Sequence, residues 1–293
     1  MINNVREVYL NGEFLPVDKA CISPFDRGFI FGDGVYEVIP VYGGRMFRFA
    51  QHLVRLDQSL SSIRLANPYD AARWQSVLEQ LMRKNDASSQ GDQSIYLQIT
   101  RGVAARDHAF PVNITPTIFA YAQPLTPPSG ETLYKGVSAI TSQDIRWQRC
   151  DIKATALLAN AIARSEAASK GAVEAILIRD GNVTEGAASN VFIVSKSELV
   201  TAPKGPFILP GITRDLIVEL AASNKIKHAE RVFDEAELRA ADEIWMTSST
   251  KEIVPITILD GKKVGNGQAG TVFTQMNTLL QQYKRAFCAG KVA

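Results

Sequence analysis

Cysteine, histidine and unbalanced charge are all scarce in this chain of 293 residues. Its three cysteines, Cys21, Cys150 and Cys288, are too few and too widely spaced for a disulfide framework, which predicts a reduced, cytoplasmic protein. Three histidines in no paired spacing argue against a zinc or iron enzyme, so we predict no metal. The 32 basic and 30 acidic residues form no long run of one sign, so the sequence shows no nucleic-acid-binding surface.

Long apolar segments are absent as well. No apolar run approaches the length of a membrane span, and the beginning, MINNVREVYLNGEF, lacks the apolar core of a signal peptide. A chain of this size with 46% hydrophobic residues buries enough apolar surface to fold without a disulfide or a metal, and its length fits about two domains. Composition therefore predicts a soluble α/β protein and does not specify an activity.

Hydrophobic periodicity predicts strands and helices in both halves of the chain. Strands are predicted over residues 8–10, 13–17, 35–41, 94–100, 117–122, 137–141, 174–179 and 188–195. Helices are predicted over residues 53–63, 69–84, 155–170, 213–224, 234–240 and 270–289. The Pro- and Gly-rich segment QPLTPPSGE predicts a linker at 123–131, between an N-terminal α/β domain at 1–122 and a C-terminal domain at 132–293. A functional site is expected by default in the cleft between them.

Three segments carry groups suited to binding a phosphate. Residues 211–215 (GITRD) begin a predicted helix, whose free N–H groups and dipole attract an anion, although Thr213 equally serves as an ordinary helix cap. Residues 247–250 (TSST) follow an apolar strand and donate either to a phosphate or to the next turn. Arg55, in the order H-x-x-R-L, offers a bidentate guanidinium or is simply a solvated surface residue.

Lys153 and Glu185 are the candidates for amine and acid chemistry. Lys153 precedes the mostly apolar stretch ATALLANAIA, and burial against apolar surface lowers a lysine pKa and favours attack on a carbonyl; the simpler interpretation is a surface lysine. Glu185 stands among small and apolar residues, where a carboxylate needs a cationic partner or a proton. Between two strands, Arg106 and His108 offer several donors to a carboxylate, or else belong to an ordinary solvated loop.

Together these motifs resemble, along essentially the whole chain, those of the fold-type IV pyridoxal-phosphate (PLP) enzymes, the class IV aminotransferase family. Residues 27–37 (RGFIFGDGVYE) resemble the amino-terminal signature of that family. The other motifs of the family follow in the same order along the chain: H-x-x-R-L, the lysine of CDIK, N-x-T-E-G-x-x-S-N at 182–190, GITRD and TSST. The resemblance implies an α/β (α+β) fold of two domains, with a smaller N-terminal domain, a larger C-terminal domain containing a pseudo-barrel, and the cofactor in the cleft.

The resemblance also implies a role for each candidate residue. Lys153 is the implied catalytic residue, which forms the internal aldimine with PLP and then moves the proton between Cα and C4′. Glu185 is expected to pair with the pyridinium nitrogen and so keep the ring an electron sink. The cofactor phosphate is expected on Arg55, Ile212, Thr213 and Ser249. The substrate α-carboxylate is expected on Tyr36, Arg106 and His108.

The motif R-x-H-x-F-P at 106–111, after T-R-G, resembles the family members that act on D-amino acids. In those relatives the loop reaches the site of the partner subunit, which implies a homodimer. The implied substrates are small amino and 2-oxo acids, and neither nucleic acid nor membrane is expected as a partner. The implied reaction converts D-alanine and 2-oxoglutarate into pyruvate and D-glutamate by a ping-pong cycle. Because the lysine serves one face of the ring, the side on which the carboxylate binds selects the enantiomer.

Other activities on the same scaffold remain open at this point. They are a branched-chain L-amino-acid or an (R)-amine aminotransferase and an aminodeoxychorismate-type lyase; a non-catalytic anion-binding protein is the alternative from another class. The R-x-H motif is not expected at this loop in the branched-chain enzymes, which favours D-amino acids. One departure is that Ala187 and Ala188 stand where some relatives carry hydroxyls beside the pyridine ring, which leaves the preferred side chain undetermined.

Overall fold

The computed structural model describes residues 5–85 and 91–292, and within them the chain falls into two compact units. The first unit contains the described residues up to Thr126 together with Ile152–Ala156. The second contains Pro127–Asp151 and Leu157–Val292. Both units mix helices and strands, as the α/β (α+β) prediction requires. Among the described residues, no helix is long and apolar enough to cross a membrane.

The first unit contains one antiparallel sheet. Its strands are β1 (Glu7–Leu10), β2 (Glu13–Pro16), β3 (Gly34–Tyr42), β4 (Arg45–Met46), β5 (Gln93–Thr100) and β6 (Thr117–Pro124). They lie in the order β2-β1-β6-β5-β3-β4. The predicted hairpin between β1 and β2 is confirmed, and Asn11 and Gly12 have the positive φ angles, 50° and 105°, that its tight turn needs.

In the described part of this unit, three α-helices accompany the sheet. They are α1 (Arg27–Phe31), α2 (Phe49–Ser62) and α3 (Ala71–Asn85). The two long helices bury apolar faces against the sheet, and Leu56, Trp74 and Leu78 pack with Ile39 and Ile95 in one core. Each such buried side chain contributes roughly 1.5–3 kcal/mol. This core is why β3 and α2, which carry several candidate site residues, are held rigidly relative to each other.

A short extended segment, Ile152–Ala156, belongs to the first unit because its backbone pairs with β3. Tyr36 N donates to the Lys153 carbonyl at 3.0 Å, and Thr155 N donates to the Gly34 carbonyl at 3.0 Å. The predicted linker at 123–131 would put Lys153 in the C-terminal domain, whereas these hydrogen bonds fix its backbone to the first unit.

The second unit contains a larger, mixed sheet. Its strands are β7 (Val137–Gln143), β8 (Glu174–Arg179), β9 (Asn182–Gly186), β10 (Asn190–Ser195), β11 (Glu198–Thr201), β12 (His228–Glu230), β13 (Glu243–Ser248), β14 (Glu252–Leu259) and β15 (Lys262–Lys263). Its helices are α4 (Gly130–Lys135), α5 (Leu158–Ser169), α6 (Ile212–Ser223), α7 (Glu235–Arg239) and α8 (Thr271–Cys288). The strand order is β12-β11-β10-β13-β14-β7-β8-β9, with β15 beside β14. Among the strands that the structure describes, β7 pairs in parallel with β8 and with β14, and β11 with β12, while the other pairings are antiparallel.

Three sequence predictions in this half differ from the structure. The strand predicted over 188–195 begins at Asn190 as β10, and the strand that follows the 180–182 turn is a separate one, β9, at Asn182–Gly186. The helix predicted from residue 155 begins only at Leu158, since the residues before it pair with β3. The segment predicted as a linker contains the end of β6 and the start of α4, which Ser129 caps by accepting a hydrogen bond from Thr132 N.

Candidate active site

Lys153 and Tyr36 are brought together in the first unit. Besides the backbone hydrogen bond between them, the side-chain nitrogen of Lys153, Nζ, lies 4.1 Å from the centre of the Tyr36 ring. Lys153 N donates to Ser59 Oγ at 3.3 Å, which further fixes the backbone. In the part of the chain that the structure describes, no carboxylate pairs with this amine, and both side chains are half-buried. An amine held over an aromatic face without an anionic partner is available to react with a carbonyl.

Glu37, the neighbour of Tyr36, is buried in a pair with Arg55. Arg55 donates from Nε to Glu37 Oε1 at 2.8 Å and from Nη2 to Oε2 at 2.7 Å. His52 Nδ1 lies 2.7 Å from the same Oε2. Burial by itself raises the pKa of Glu37, but the Arg55 guanidinium and the His52 contact outweigh it and lower the pKa to about 2. This bidentate contact fixes the orientation of the Arg55 side chain.

Arg106 and His108 are exposed in the loop between β5 and β6. The guanidinium carbon of Arg106 lies 5.5 Å from the centre of the Phe31 ring, and the His108 ring centre lies 5.6 Å from it. Among the described residues, no hydrogen bond or ring contact joins either side chain to Tyr36. Within one chain, therefore, the three predicted carboxylate ligands are not assembled.

Glu185, near the end of β9 in the second unit, is buried and accepts hydrogen bonds from three donors. Arg146 donates from Nη1 to Oε1 at 2.5 Å, and Asn190 Nδ2 and Leu209 N each donate to Oε2 at 3.0 Å. Burial raises the pKa of Glu185 to about 7 against the opposing effect of the Arg146 charge. A carboxyl group that is fixed in orientation and titrates near neutrality suits a site that binds a cationic ring nitrogen.

Arg146 is itself held by a second carboxylate, Asp144. Arg146 Nε donates to Asp144 Oδ1 at 2.9 Å and Nη2 donates to Oδ2 at 3.0 Å, while Arg179 Nη2 lies 3.1 Å from that Oδ2. Burial raises the pKa of Asp144, but the two arginines outweigh it and lower the pKa. Arg179, Asp144, Arg146 and Glu185 thus form a row of alternating charge. The cationic partner that Glu185 was expected to need is Arg146.

The N-terminus of α6 has no side-chain cap among the described residues, because its cap residue is Gly211. The first-turn N–H groups, including those of Ile212 and Thr213, therefore keep their capacity to bind an anion. A Cβ on Gly211 would lie 1.9 Å from Asn190 Oδ1. Since Asn190 also donates to Glu185, one amide side chain lies against both the start of α6 and the buried carboxylate.

The hydroxyl residues of TSST span the end of β13 and the turn that follows it. Thr247 is the partner of Asn190 in the pairing of β13 with β10. Its hydroxyl is buried and has no hydrogen-bond partner within residues 5–85 and 91–292. Ser249 is half-buried in the turn before β14. An unpaired buried hydroxyl costs about 1–3 kcal/mol, so this position fits a ligand-binding surface better than a closed core.

Apart from Arg106 and His108, the predicted residues therefore lie in one group in each unit. Lys153, Tyr36 and Arg55 lie on and beside β3 in the first. In the second, the group is formed by Glu185, Ile212, Thr213 and Ser249, on elements that meet at Asn190. Their roles toward a cofactor and a substrate stay predictions.

Two functional candidates were not predicted from the sequence, Glu37 and Arg146. Glu37 carried a usable signal, since a lone acidic residue inside the apolar strand VYEVIPV needs a buried partner. Arg146 carried none, because it lies 39 residues from Glu185 in a loop without periodicity.

Similarity to known proteins extends over nearly the full chain. Residues 34–259 match the family model Amino-transferase class IV. The chain is 40% identical over 275 residues to the D-alanine aminotransferase of Bacillus licheniformis, which covers 94% of this chain and 96% of that protein. Among solved structures, the branched-chain amino acid aminotransferase of Escherichia coli superimposes with a TM-score of 0.88 at 27% identity, over 99% of this chain and 96% of that one. A PLP-bound hypothetical aminotransferase from Mycobacterium tuberculosis superimposes with a TM-score of 0.81 at 26% identity, over 94% of this chain and 97% of that one.

Proposed function

The chain belongs to the class IV aminotransferases, and from that membership we propose that it transfers the amino group of D-alanine to 2-oxoglutarate, yielding pyruvate and D-glutamate. The observation that carries the proposal is the 40% identity to a D-alanine aminotransferase over 94% of the chain. The substrates are small amino and 2-oxo acids, which the two half-reactions of a ping-pong cycle bind in turn.

The described residues fit PLP as the cofactor. The α6 N-terminus at Gly211 and the buried hydroxyl of Thr247, which has no hydrogen-bond partner in the described part of the chain, provide donors of the kind that a phosphate requires. Glu185 provides the anion that a pyridinium requires. PLP supplies an aldehyde that reacts with amines and a protonated ring that accepts electron density. A PLP-bound relative with 26% identity supports the same assignment.

Lys153 is the proposed catalytic residue. Its Nζ would hold the aldehyde carbon of the cofactor and, as a free amine, would act as the general base that moves a proton from the substrate Cα. The Tyr36 ring, 4.1 Å away, limits the positions that Nζ can occupy. Because the backbone of Lys153 is hydrogen-bonded to β3, the amine is delivered from one fixed direction, which makes proton transfer stereospecific.

Glu185 and the phosphate ligands orient the cofactor in this proposal. The Arg146 charge favours the ionised form of Glu185, and the ionised carboxylate would hold a proton on the ring nitrogen. The side chains and N–H groups proposed to hold the phosphate belong to Arg55, Ile212, Thr213 and Ser249. Glu37 contributes indirectly, because its two hydrogen bonds aim the guanidinium of Arg55.

The α-carboxylate is assigned to Tyr36, Arg106 and His108, with the loop of one subunit serving the site of its partner in a homodimer. Two observations support the arrangement: Arg106 and His108 are exposed, and they lack contacts to Tyr36 within the described part of one chain. We also place the protein in the cytoplasm, in keeping with its free cysteines.

A panel of amino donors tests the proposed reaction. With 2-oxoglutarate as acceptor, D-alanine is expected to yield D-glutamate, identified by chiral chromatography, while L-leucine and (R)-1-phenylethylamine react far more slowly. The purified protein is expected to be yellow, and Lys153→Ala to abolish turnover. Full turnover by Lys153→Ala would overturn the assignment of the catalytic residue.

A second function, transamination of branched-chain L-amino acids, is favoured by the structural match to the Escherichia coli enzyme. Formation of L-glutamate from L-leucine at the higher rate would establish it instead. Release of pyruvate from a substrate without any amino acceptor would identify a lyase.

A further inference from the structure

The loop that carries Arg106 and His108 is fastened at its base by buried charges. Arg27 Nε of α1 and Arg101 Nε at the start of the loop each donate to Asp33 Oδ2 at 2.8 Å. Only 3% of Arg27 and 2% of Arg101 is exposed. A buried cation is stable only when paired, so the shared carboxylate holds α1 and the loop base together.

The same two arginines also hold the loop further along. Arg27 Nη1 donates to the Asp107 carbonyl at 2.6 Å, and the guanidinium carbon of Arg101 lies 3.6 Å from the centre of the Phe110 ring. Within the motif R-x-H-x-F-P, the Asp107 backbone and the Phe110 ring therefore fix the loop to Arg27 and Arg101. The arginine and the histidine of the motif remain exposed.

Phe31, the last residue of α1, contacts both of those exposed side chains. Its ring centre lies 5.5 Å from the Arg106 guanidinium and 5.6 Å from the His108 ring centre. The Arg27 guanidinium lies 4.7 Å from the same ring, which is therefore held by the loop base. Such contacts reduce the rotamers open to two mobile side chains, and a preordered pair loses less entropy when it binds a ligand.

We propose that Phe31 is a positioning residue for the substrate carboxylate, which holds Arg106 and His108 at the spacing at which both donate to one carboxylate. The inference rests on the proposed function, in which these two residues bind that group. The ion pairs at the loop base support it, because Arg27 and Arg101 share the Asp33 carboxylate and so fix the base of the loop beneath the two exposed side chains. Phe31 is therefore expected not to affect the binding of a substrate that lacks a carboxylate.

The test compares two amino donors that differ in this group alone. D-alanine carries the carboxylate, and isopropylamine has a methyl group in its place. We expect Phe31→Leu to raise the KM for D-alanine about tenfold, which is about 1.4 kcal/mol, with kcat within about twofold of wild type. With isopropylamine, kcat/KM is expected to stay unchanged. Phe29→Leu is the matched control, since Phe29 lies on the same helix with 78% of its surface exposed and is expected to leave both substrates unaffected.

Two further variants separate positioning from folding. Phe31→Tyr keeps the ring and is expected to retain the wild-type KM for D-alanine. In a chain that already carries Arg106→Leu, Phe31→Leu is expected to raise this KM much less than it does in the wild-type chain. Equal losses with both donors, or fully additive effects with Arg106→Leu, would overturn the inference. If Phe31→Leu unfolds, Phe110→Leu, which loosens the loop through Arg101, is expected to give the same selective rise in KM, and its absence would also overturn the inference.

Failure of the proposed function gives a different result. In that case wild-type protein does not transaminate D-alanine, or Arg106→Leu leaves the KM for D-alanine unchanged. An active enzyme that is sensitive to Arg106→Leu and indifferent to Phe31→Leu would leave the proposed function intact and disprove the role of Phe31.

Discussion

Two buried glutamates in this protein have pKa values on opposite sides of the usual value. Glu37 accepts a hydrogen bond from the Arg55 guanidinium on each of its oxygens and contacts His52, and its pKa falls to about 2. Glu185 shares its partner, Arg146, with Asp144, and burial therefore prevails and raises its pKa to about 7. Glu37 is a permanent anion that orients Arg55, whereas the charge of Glu185 depends on what binds beside it.

The Glu37–Arg55 pair is expected to make stability depend on acid pH. A carboxyl whose pKa falls from 4.5 unfolded to about 2 folded contributes stability that is complete above pH 4.5 and is lost as pH falls toward 2. We expect Glu37→Gln to lower the free energy of unfolding by about 3–5 kcal/mol at pH 7. The difference from wild type should shrink below pH 4.5 in urea unfolding at a series of pH values. A difference that is unchanged at pH 3 would contradict the assignment.

Arg146 is expected to set the charge of Glu185. Arg146→Met removes the charge and leaves the burial, so the pKa of Glu185 rises further above its usual value and the carboxyl is protonated at neutral pH. We expect about tenfold weaker PLP binding at pH 7.5, about 1.4 kcal/mol, with recovery as pH rises. The measurement is the PLP dissociation constant as a function of pH. Arg179→Met, which affects Asp144 without touching Glu185, is the control, and an equal loss in both variants would refute a direct role for Arg146.

At the scale of elements, local patterns predicted the helices and strands whose own residues decide their conformation. The amphipathic helices α2, α3 and α6 are examples, since each buries a face with a period of 3.6 residues. The segment Ile152–Ala156 was predicted wrongly in part, because the helix-favouring sequence after Lys153 is overridden by hydrogen bonds to β3, far away along the chain. Strand β9 was missed because its residues NVTEG are not a typical strand sequence.

The α6 N-terminus provides a prediction for one glycine. A Cβ in Gly211→Ala would meet Asn190 Oδ1 at 1.9 Å and displace the side chain that donates to Glu185. We expect PLP to bind about tenfold or more weakly, about 1.4 kcal/mol, because both the phosphate donors and the ring partner shift.

Gly205→Ala is the matched control, since nothing lies within 4 Å of a Cβ at Gly205. Loss of backbone freedom there stabilises by about 0.4–1 kcal/mol at most. Both variants are assayed by PLP titration and by thermal unfolding without PLP. Equal PLP affinity in the two would show that the start of α6 does not hold the phosphate.

At the scale of the whole molecule, scaffold and specificity have different origins. The chain superimposes well on a branched-chain aminotransferase, while its sequence is closer to D-alanine aminotransferases. A shared fold does not determine the substrate, so the difference must lie in particular residues. The loop with Arg106 and His108 is the strongest candidate. If, as proposed, its few positive groups bind a small carboxylate, a net charge of only +2 suffices.

If that loop contributes to the active site of the partner subunit, activity is expected to return when two inactive variants are mixed. A Lys153→Ala chain keeps an intact loop, and an Arg106→Leu chain keeps an intact lysine. In a mixed dimer, one of the two sites then receives both groups. Random exchange of subunits makes about half of the dimers mixed, so about one quarter of wild-type activity with D-alanine is expected to return. If subunit exchange is verified and activity still does not return, the loop acts at the site of its own chain.

A chain with both substitutions provides the converse measurement. Mixed with wild type, it forms dimers in which the intact Lys153 meets a loop lacking Arg106. If the loop acts on the partner, these dimers are expected to have little activity with D-alanine, and about half of the initial wild-type activity disappears on exchange. If the loop acts within its own chain, the wild-type subunit keeps its complete site and activity is unchanged. Because the two mixtures change in opposite directions, a loss of protein during exchange cannot imitate both results.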